Sequence, residues 1–69
     1  MGISYKKLWK LLIDKDMKKS QLREAASLSS STIAKLTRNE YVALDVLVRI
    51  CAVLNCDLGD IAEVKLDEQ

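Results

Sequence analysis

The feature that most limits the fold of this chain is the stretch from Lys18 to Asn39, KKSQLREAASLSSSTIAKLTRN, where apolar positions recur at helical spacing on both sides of a serine-rich break. Leu22 and Ala26 fall on one inner face, Ser27-Leu28-Ser29 interrupts it, and Ile33 and Leu36 turn inward again. The stretch therefore reads as two short helices joined by a tight turn, the second capped by Ser29. The residues of that second helix that do not turn inward are Ser30, Ser31, Ala34, Lys35 and Arg38, small hydroxyls ending in two cations. Taken alone, this face describes a capped, solvated surface helix. Its surroundings favour a second reading, in which the slim leading end enters a DNA major groove while Lys35 and Arg38 reach bases or phosphates.

Sixty-nine residues make one domain (1–69) with a small core, near the size at which a chain folds alone only with efficient packing or a second subunit. Apolar residues form 49% of the chain and aromatics 4%, glycine occurs twice and proline never, so few strand or turn signals remain and an all-α fold of short helices is expected. The net charge of +1 conceals a division. Residues 1–38 carry nine Lys/Arg against three acids, a balance of +6, and residues 39–69 carry two against seven, a balance of −5. Such a dipole meets a polyanion with one end, although small domains also show lopsided charge by chance.

Cys51 and Cys56 lie in and just after an apolar helix, and the chain has no histidine. A zinc site would lack ligands, and two small packed thiols in a reducing cytoplasm fit better. Lys10 interrupts the N-terminal apolar run and no stretch approaches the roughly 18 apolar residues of a membrane helix, so no signal peptide or membrane partner is expected. Without histidine, and with its acids scattered, the chain is not read as an enzyme, and no cofactor, metal or small-molecule ligand is assigned. Few aromatics are free to stack on RNA bases.

In chain order, Ser4 can cap a helix from Tyr5 to about Lys15 in which Tyr5, Leu8, Leu11 and Leu12 form a core stripe. Trp9 and Ile13 widen it, either as core cover, the preferred reading, or as footing for a partner; Met17 is expected to insert where the chain turns. A second helix spans about Lys19 to Ala26. Its basic start, Lys18-Lys19, opposes the helix dipole, which is either a small cost or the seat of a phosphate. The third runs from Ser30 to about Arg38, where Asn39 can take the left-handed conformation that ends a helix. Tyr41 then lies exposed near the basic surface, its hydroxyl free to reach a phosphate or its ring covering the helix end. Leu44 to Leu54 forms the fourth helix, with Leu44, Leu47, Ile50, Cys51 and Leu54 facing the core, Val46, Val48 and Val53 outside that stripe, and Asn55 as its stop. Asp57 caps a fifth, Leu58 to about Ala62, whose Leu58 and Ile61 close a core spanning about residues 4–62. Residues 63–69 begin with the alternating Glu63-Val64-Lys65-Leu66, a short strand or arm that pairs with a second copy, or a frayed tail.

The pattern Leu22-x(5)-Leu28-Ser29-x(3)-Ile33-x(2)-Leu36, followed by Leu44-x(2)-Leu47-x(2)-Ile50-Cys51-x(2)-Leu54-x-Cys56-x-Leu58-x(2)-Ile61, resembles the Cro/phage-repressor, lambda-repressor-like helix-turn-helix family over about Tyr5 to Ile61. The segments KLWKLLIDKDMKKSQLREA, STIAKL and ICAVLNCDLGDI are especially similar to very small single-domain regulators of Gram-positive bacteria, including the VanU-type regulators of vancomycin-resistance clusters. The resemblance implies a compact five-helix domain and a transcriptional regulator consisting only of that domain. It puts the recognition helix at Ser29 to Arg38, with Ser30, Ser31 and Lys35 facing bases. Lys19, with Lys18 beside it, takes the phosphate contact at the start of helix two, and Arg38, Asn39 and Tyr41 meet the backbone again. If two copies pair about a two-fold axis, their recognition helices stand ~34 Å apart, so a homodimer on an imperfect palindrome of double-stranded DNA is expected.

The chain departs from the family at several places. Ser27 stands where the turn usually has glycine, so either a left-handed serine is tolerated at ~1 kcal/mol or the turn differs slightly. Lys18 and Ala43 replace the Ser or Thr that commonly caps helices two and four, each cap being worth ~1 kcal/mol. Leu12 and Thr37 replace an internal Arg–Glu pair of some phage repressors, so apolar packing is expected there instead. One rival stays open: a protein-interaction module of the same fold, of antitoxin or anti-repressor type, acting through helix four and the acidic C-terminal half.

Overall fold

A computed structural model describes residues 1–66, leaving residues 67–69 of the expected tail outside the described residues. The order is β1 (Gly2–Ser4), α1 (Lys6–Asp14), α2 (Lys19–Ala25), α3 (Ser30–Thr37), α4 (Leu44–Leu54), a single 3₁₀ turn (Leu58–Asp60) and β2 (Glu63–Lys65). Each α-helix stops at a left-handed residue that is not glycine: Asp16, Ser27, Asn39 and Asn55, with φ of 59°, 56°, 58° and 54°. Asp and Asn thus stand in for glycine at three of the four exits and Ser27 carries the strain at the other, in a chain that has only two glycines. Behind these tight exits the helices enclose one core, in which Tyr5, Leu8 and Leu12 meet Leu22, Ala26, Leu28, Leu36, Val46, Leu47, Ile50, Leu54 and Ile61. Trp9 packs against its edge, as expected of core cover, and Met17, expected to insert where the chain turns, is partly buried at that edge.

Four expectations are corrected. The fold has four α-helices among the described residues, and the fifth contracts to the 3₁₀ turn Leu58–Asp60. Its cap is as expected, the Asp57 carboxylate accepting from Leu58 N–H at 3.2 Å, but Gly59 disfavours helix and the Asp60 carboxylate reaches back to Asp57 N–H at 2.9 Å, closing a single turn. Ile61 is fully buried there, whereas Leu58 is 39% exposed. α4 has the expected limits but is rotated: Val46 is buried and Leu44 is 63% exposed, because Val46, Leu47, Ile50 and Leu54 make an equally good inward stripe. Ile13 is 76% exposed and covers no core.

The fourth correction concerns the ends of the chain. Ser4 does not start a helix; it lies in β1, which pairs antiparallel with β2 in the register Gly2–Lys65, Ile3–Val64 and Ser4–Glu63. The alternating segment is therefore a strand, and its partner is this chain's own N-terminus rather than a second copy. Tyr5 takes the cap position of α1 instead, with the Ser4 hydroxyl accepting from Lys6 N–H at 3.3 Å. Among the described residues no helix is long and apolar enough to cross a membrane.

Candidate nucleic-acid interface

α3 is built to show one face. Ser29 caps it as the sequence predicts, its hydroxyl accepting from Thr32 N–H at 3.1 Å, and Leu36 and Ile33 tie the opposite face to the core. On the outer face Ser30, Ser31, Lys35 and Arg38 are exposed, with Ala34 half-buried between the stripes. Ser31 and Lys35 sit one turn apart, as do Ser30 and Ala34. The Ser31 hydroxyl lies 3.0 Å from that of Ser29 and belongs to the cap network, while the Ser30 and Lys35 side chains make no hydrogen bond or ion pair among the described residues. The three residues assigned to bases are thus on one open surface, Ser31 partly committed and the other two uncommitted.

The trailing end of α3 is anchored. Lys19, the first residue of α2, is 4.1 Å from the centroid of the Trp9 ring and donates to the Thr37 hydroxyl at 3.2 Å. Thr37 gives its own proton back to Ile33 O at 2.9 Å, which leaves its lone pairs for the lysine. Lys19 therefore spans three helices with its charge still exposed. The expected apolar substitute for the Arg–Glu link is only half realised: Leu12 is buried, but Thr37 is on the surface holding Lys19. Lys18 is exposed and its side chain makes no hydrogen bond or ion pair among the described residues; its backbone N–H donates to Gln21 at 2.8 Å, and α2 lacks the usual hydroxyl cap. Ala43 likewise leaves α4 without a side-chain cap.

Arg38, Asn39 and Tyr41 fare differently from one another. Arg38 donates through Nε to Glu40 at 2.6 Å, and this pairing holds the guanidinium pKa up and the Glu40 carboxyl below its ordinary value, the hydrogen bond being the larger cause in each. Asn39 is left-handed and its Oδ1 accepts from Tyr5 N–H at 3.0 Å, which leaves its amide nitrogen as a donor for a ligand. Tyr41 is 70% exposed. Beneath them burial pushes the Tyr5 phenol up, with a backbone contact at Val42 opposing it, and its hydroxyl donates to Glu40 O at 2.8 Å.

Several participants were not visible in the sequence. Glu40, placed only two residues beyond Arg38 across a left-handed residue, puts an acid among the cations; with Glu63 lying 3.7 Å from Lys7, it blurs the charge division read from the chain order. Arg49 of α4 reaches the turn between α2 and α3, donating to Ser27 O at 3.1 Å and Ala26 O at 3.4 Å while holding Asp45 at 3.3 Å. Its i,i+4 spacing from Asp45 signalled the ion pair, but nothing local signalled the carbonyls. Gln21, three residues after Lys18, carries the reciprocal half of a capping box, a readable cue. Among the described residues no group of three His, Cys, Asp or Glu could hold a metal, and Cys51 and Cys56 are half-buried free thiols, with burial pushing that of Cys51 up.

The family model described as the Cro/C1-type HTH DNA-binding domain matches residues 7–67. The chain is also similar to a solved structure, described as the crystal structure of transcriptional regulator VanUg, form II, at 64% identity with a TM-score of 0.88, over 90% of this chain and 83% of that one. No curated protein matches.

Proposed function

The chain belongs to the Cro/C1-type helix-turn-helix DNA-binding family, and from that membership we propose that residues 1–69 act as one unit, a sequence-specific transcriptional regulator that lays α3 in the major groove of double-stranded DNA. The observation that carries this reading is the surface of α3, where Ser30, Ser31 and Lys35 stand clear of every neighbouring helix while Lys19 is seated against Thr37 at its trailing end. Ser30 and Ser31 are permissive readers, so Lys35, with its reach to guanine acceptors, is the discriminating side chain. Lys18, Lys19, Arg38, Asn39 and Tyr41 meet phosphates. Membership of a DNA-binding family supports a cytoplasmic setting, and the sequence resemblance to VanU-type regulators supports a place among Gram-positive resistance or mobile-element regulators.

Dimerisation about a two-fold axis would set two α3 helices ~34 Å apart on an imperfect palindrome. The exposed Leu44 and Val48, one turn apart on α4, with Tyr41 leading into them, support an apolar contact for it. The same patch supports a second reading, in which α4 docks an antitoxin-like or anti-repressor partner.

The test is a fluorescence titration against the DNA upstream of the chain's own gene at two salt concentrations. Lys35→Ala should flatten the preference among base-substituted duplexes, and Lys19→Ala should weaken all duplexes alike. Wild-type protein with neither sequence preference nor salt slope, found instead in a stable hetero-complex, would favour the partner module. Sedimentation of the protein–DNA complex gives the stoichiometry, two chains per operator being expected.

A further inference from the structure

The small sheet changes what surrounds the trailing end of α3. Because β2 pairs with β1, and the backbone of Tyr5 just beyond β1 is bonded to Asn39, the two ends of the described chain are held beside Thr37, Arg38 and Asn39. Two clefts, of about 440 and 500 Å³, open against the end of α3, and Asn39 and Lys65 line both. The smaller is also lined by Lys6, Trp9, Thr37 and the acid Glu63, and Arg38 lines the larger.

The charges in this region do not cancel. Of the acids nearby, Glu63 is engaged by Lys7 at 3.7 Å and Glu40 by Arg38 at 2.6 Å. Lys6 and Lys65 are exposed and make no side-chain hydrogen bond or ion pair among the described residues, and Lys19 is held only by neutral groups, the Trp9 ring and the Thr37 hydroxyl. Cations near a helix C-terminus are welcome to its dipole, but the last turn of α3 already has Lys35, with Arg38 at its C-cap. Lys6, Lys19 and Lys65 thus gather around two clefts whose lining carries one carboxylate, Glu63, already shared with Lys7, so positive charge is in excess there and an anion would be welcome. The Asn39 amide nitrogen, left over once Oδ1 has taken the Tyr5 N–H, adds a neutral donor.

We infer that the β1–β2 sheet is part of the DNA-contacting surface, with Lys6 and Lys65 meeting backbone phosphates that flank those reached by Lys19. The inference rests on the proposed reading of α3 as the recognition helix. It adds to the helix-turn-helix a backbone contact made by the chain termini, sequence-independent and outside the bases that α3 reads.

The test compares wild type with the double variant Lys6→Gln/Lys65→Gln, and with Lys10→Gln/Lys15→Gln, which removes the same charge from exposed positions of α1 and the turn after it. Thermal melts followed by circular dichroism establish that all three fold. Affinity for a long operator duplex is measured across a salt series. Two lost phosphate contacts per chain should make the slope of log K against log salt shallower by about 1.8 for each chain bound, about 3.6 for a two-chain complex, with the ranking of base-substituted duplexes unchanged. Trimming the outermost base pairs should remove most of the difference between Lys6→Gln/Lys65→Gln and wild type. Equal slopes for that variant and wild type overturn the inference while leaving the α3 reading intact, and so does an equal loss of slope in Lys10→Gln/Lys15→Gln. A wild-type chain that binds no duplex overturns both.

Discussion

α2 and α3 leave their last turns by the same backbone route and are secured by different means. At the exit of α2, Ser27 is left-handed and Leu28 N–H returns to Arg23 O at 2.8 Å; at the exit of α3, Asn39 is left-handed and Glu40 N–H returns to Lys35 O at 2.9 Å. The brace at Ser27 is borrowed from α4, where Arg49 donates to the carbonyls of Ala26 and Ser27. The brace at Asn39 is the residue itself, whose Oδ1 takes the Tyr5 N–H. One asparagine thus supplies both tolerance of positive φ and a long-range bond. A serine supplies neither, and a remote cation compensates by satisfying the helix-end carbonyls. The exit with its own long-range bond is the one that fixes the trailing end of the candidate recognition helix against α1.

The largest effect should come from Asn39→Ala, which imposes ~1 kcal/mol of left-handed strain on alanine and strips the Tyr5 N–H of its acceptor, for a total loss of about 2–3 kcal/mol. Urea denaturation followed by circular dichroism measures it. Asn39→Gly keeps the backbone at ease and loses only the bond, so it should cost about half as much. Equal losses for the two variants would break the account of α3's exit.

Arg49→Met should cost about 1 kcal/mol, the worth of charge-assisted bonds to two helix-end carbonyls at a partly exposed site. A loss as large as that of Asn39→Ala would mean that the two exits are not held differently. Ser27→Gly should move the other way, gaining about 0.5–1 kcal/mol, seen as a rise of a few degrees in Tm. Opposite signs for glycine at positions 27 and 39 are the sharpest form of the comparison, and a Ser27→Gly that melts lower than wild type contradicts it.

Where a side chain's own chemistry decides the outcome, the sequence was readable. The stop at Asn39, the Ser29 cap and both limits of α4 follow from the residues on the spot, while at Ser27 the family resemblance left a left-handed serine and a different turn both open and the backbone takes the first. Where the outcome depends on what a residue meets across the fold, it was not. Leu44 and Val46 both fit a helical stripe, and only packing selects Val46. β1 is three residues, Gly-Ile-Ser, with no strand pattern of its own until β2 arrives beside it. Lys19 was identifiable as a cation at a helix start, but its seating on Trp9 and Thr37 joins three elements that no local pattern connects. The open face of α3 was legible because Ser30, Ser31 and Lys35 fall outside the inward stripe, and Ser31 meets only the Ser29 cap of its own helix.

The smallest effect distinguishes the charged rims of the two exits. Glu40 lies beside Arg38 at the exit of α3, and both side chains are about half exposed, so their pairing adds little to stability and a titration reports it better than a melt. The hydrogen bond from Arg38 lowers the Glu40 carboxyl below its ordinary 4.5, so the pairing is fully present at neutral pH and is lost only as pH falls through the lower folded value. Carboxyl NMR of Glu40 should therefore show a midpoint under 4.5 in wild type. In Arg38→Met the largest cause of the depression is gone, and the midpoint should move up toward the ordinary value, with the more distant Lys35 charge holding back part of the return. A Glu40 that titrates alike in both proteins would show Arg38 to be free of its neighbour, and the rim of α3's exit to be as open to phosphate as the lysines around it.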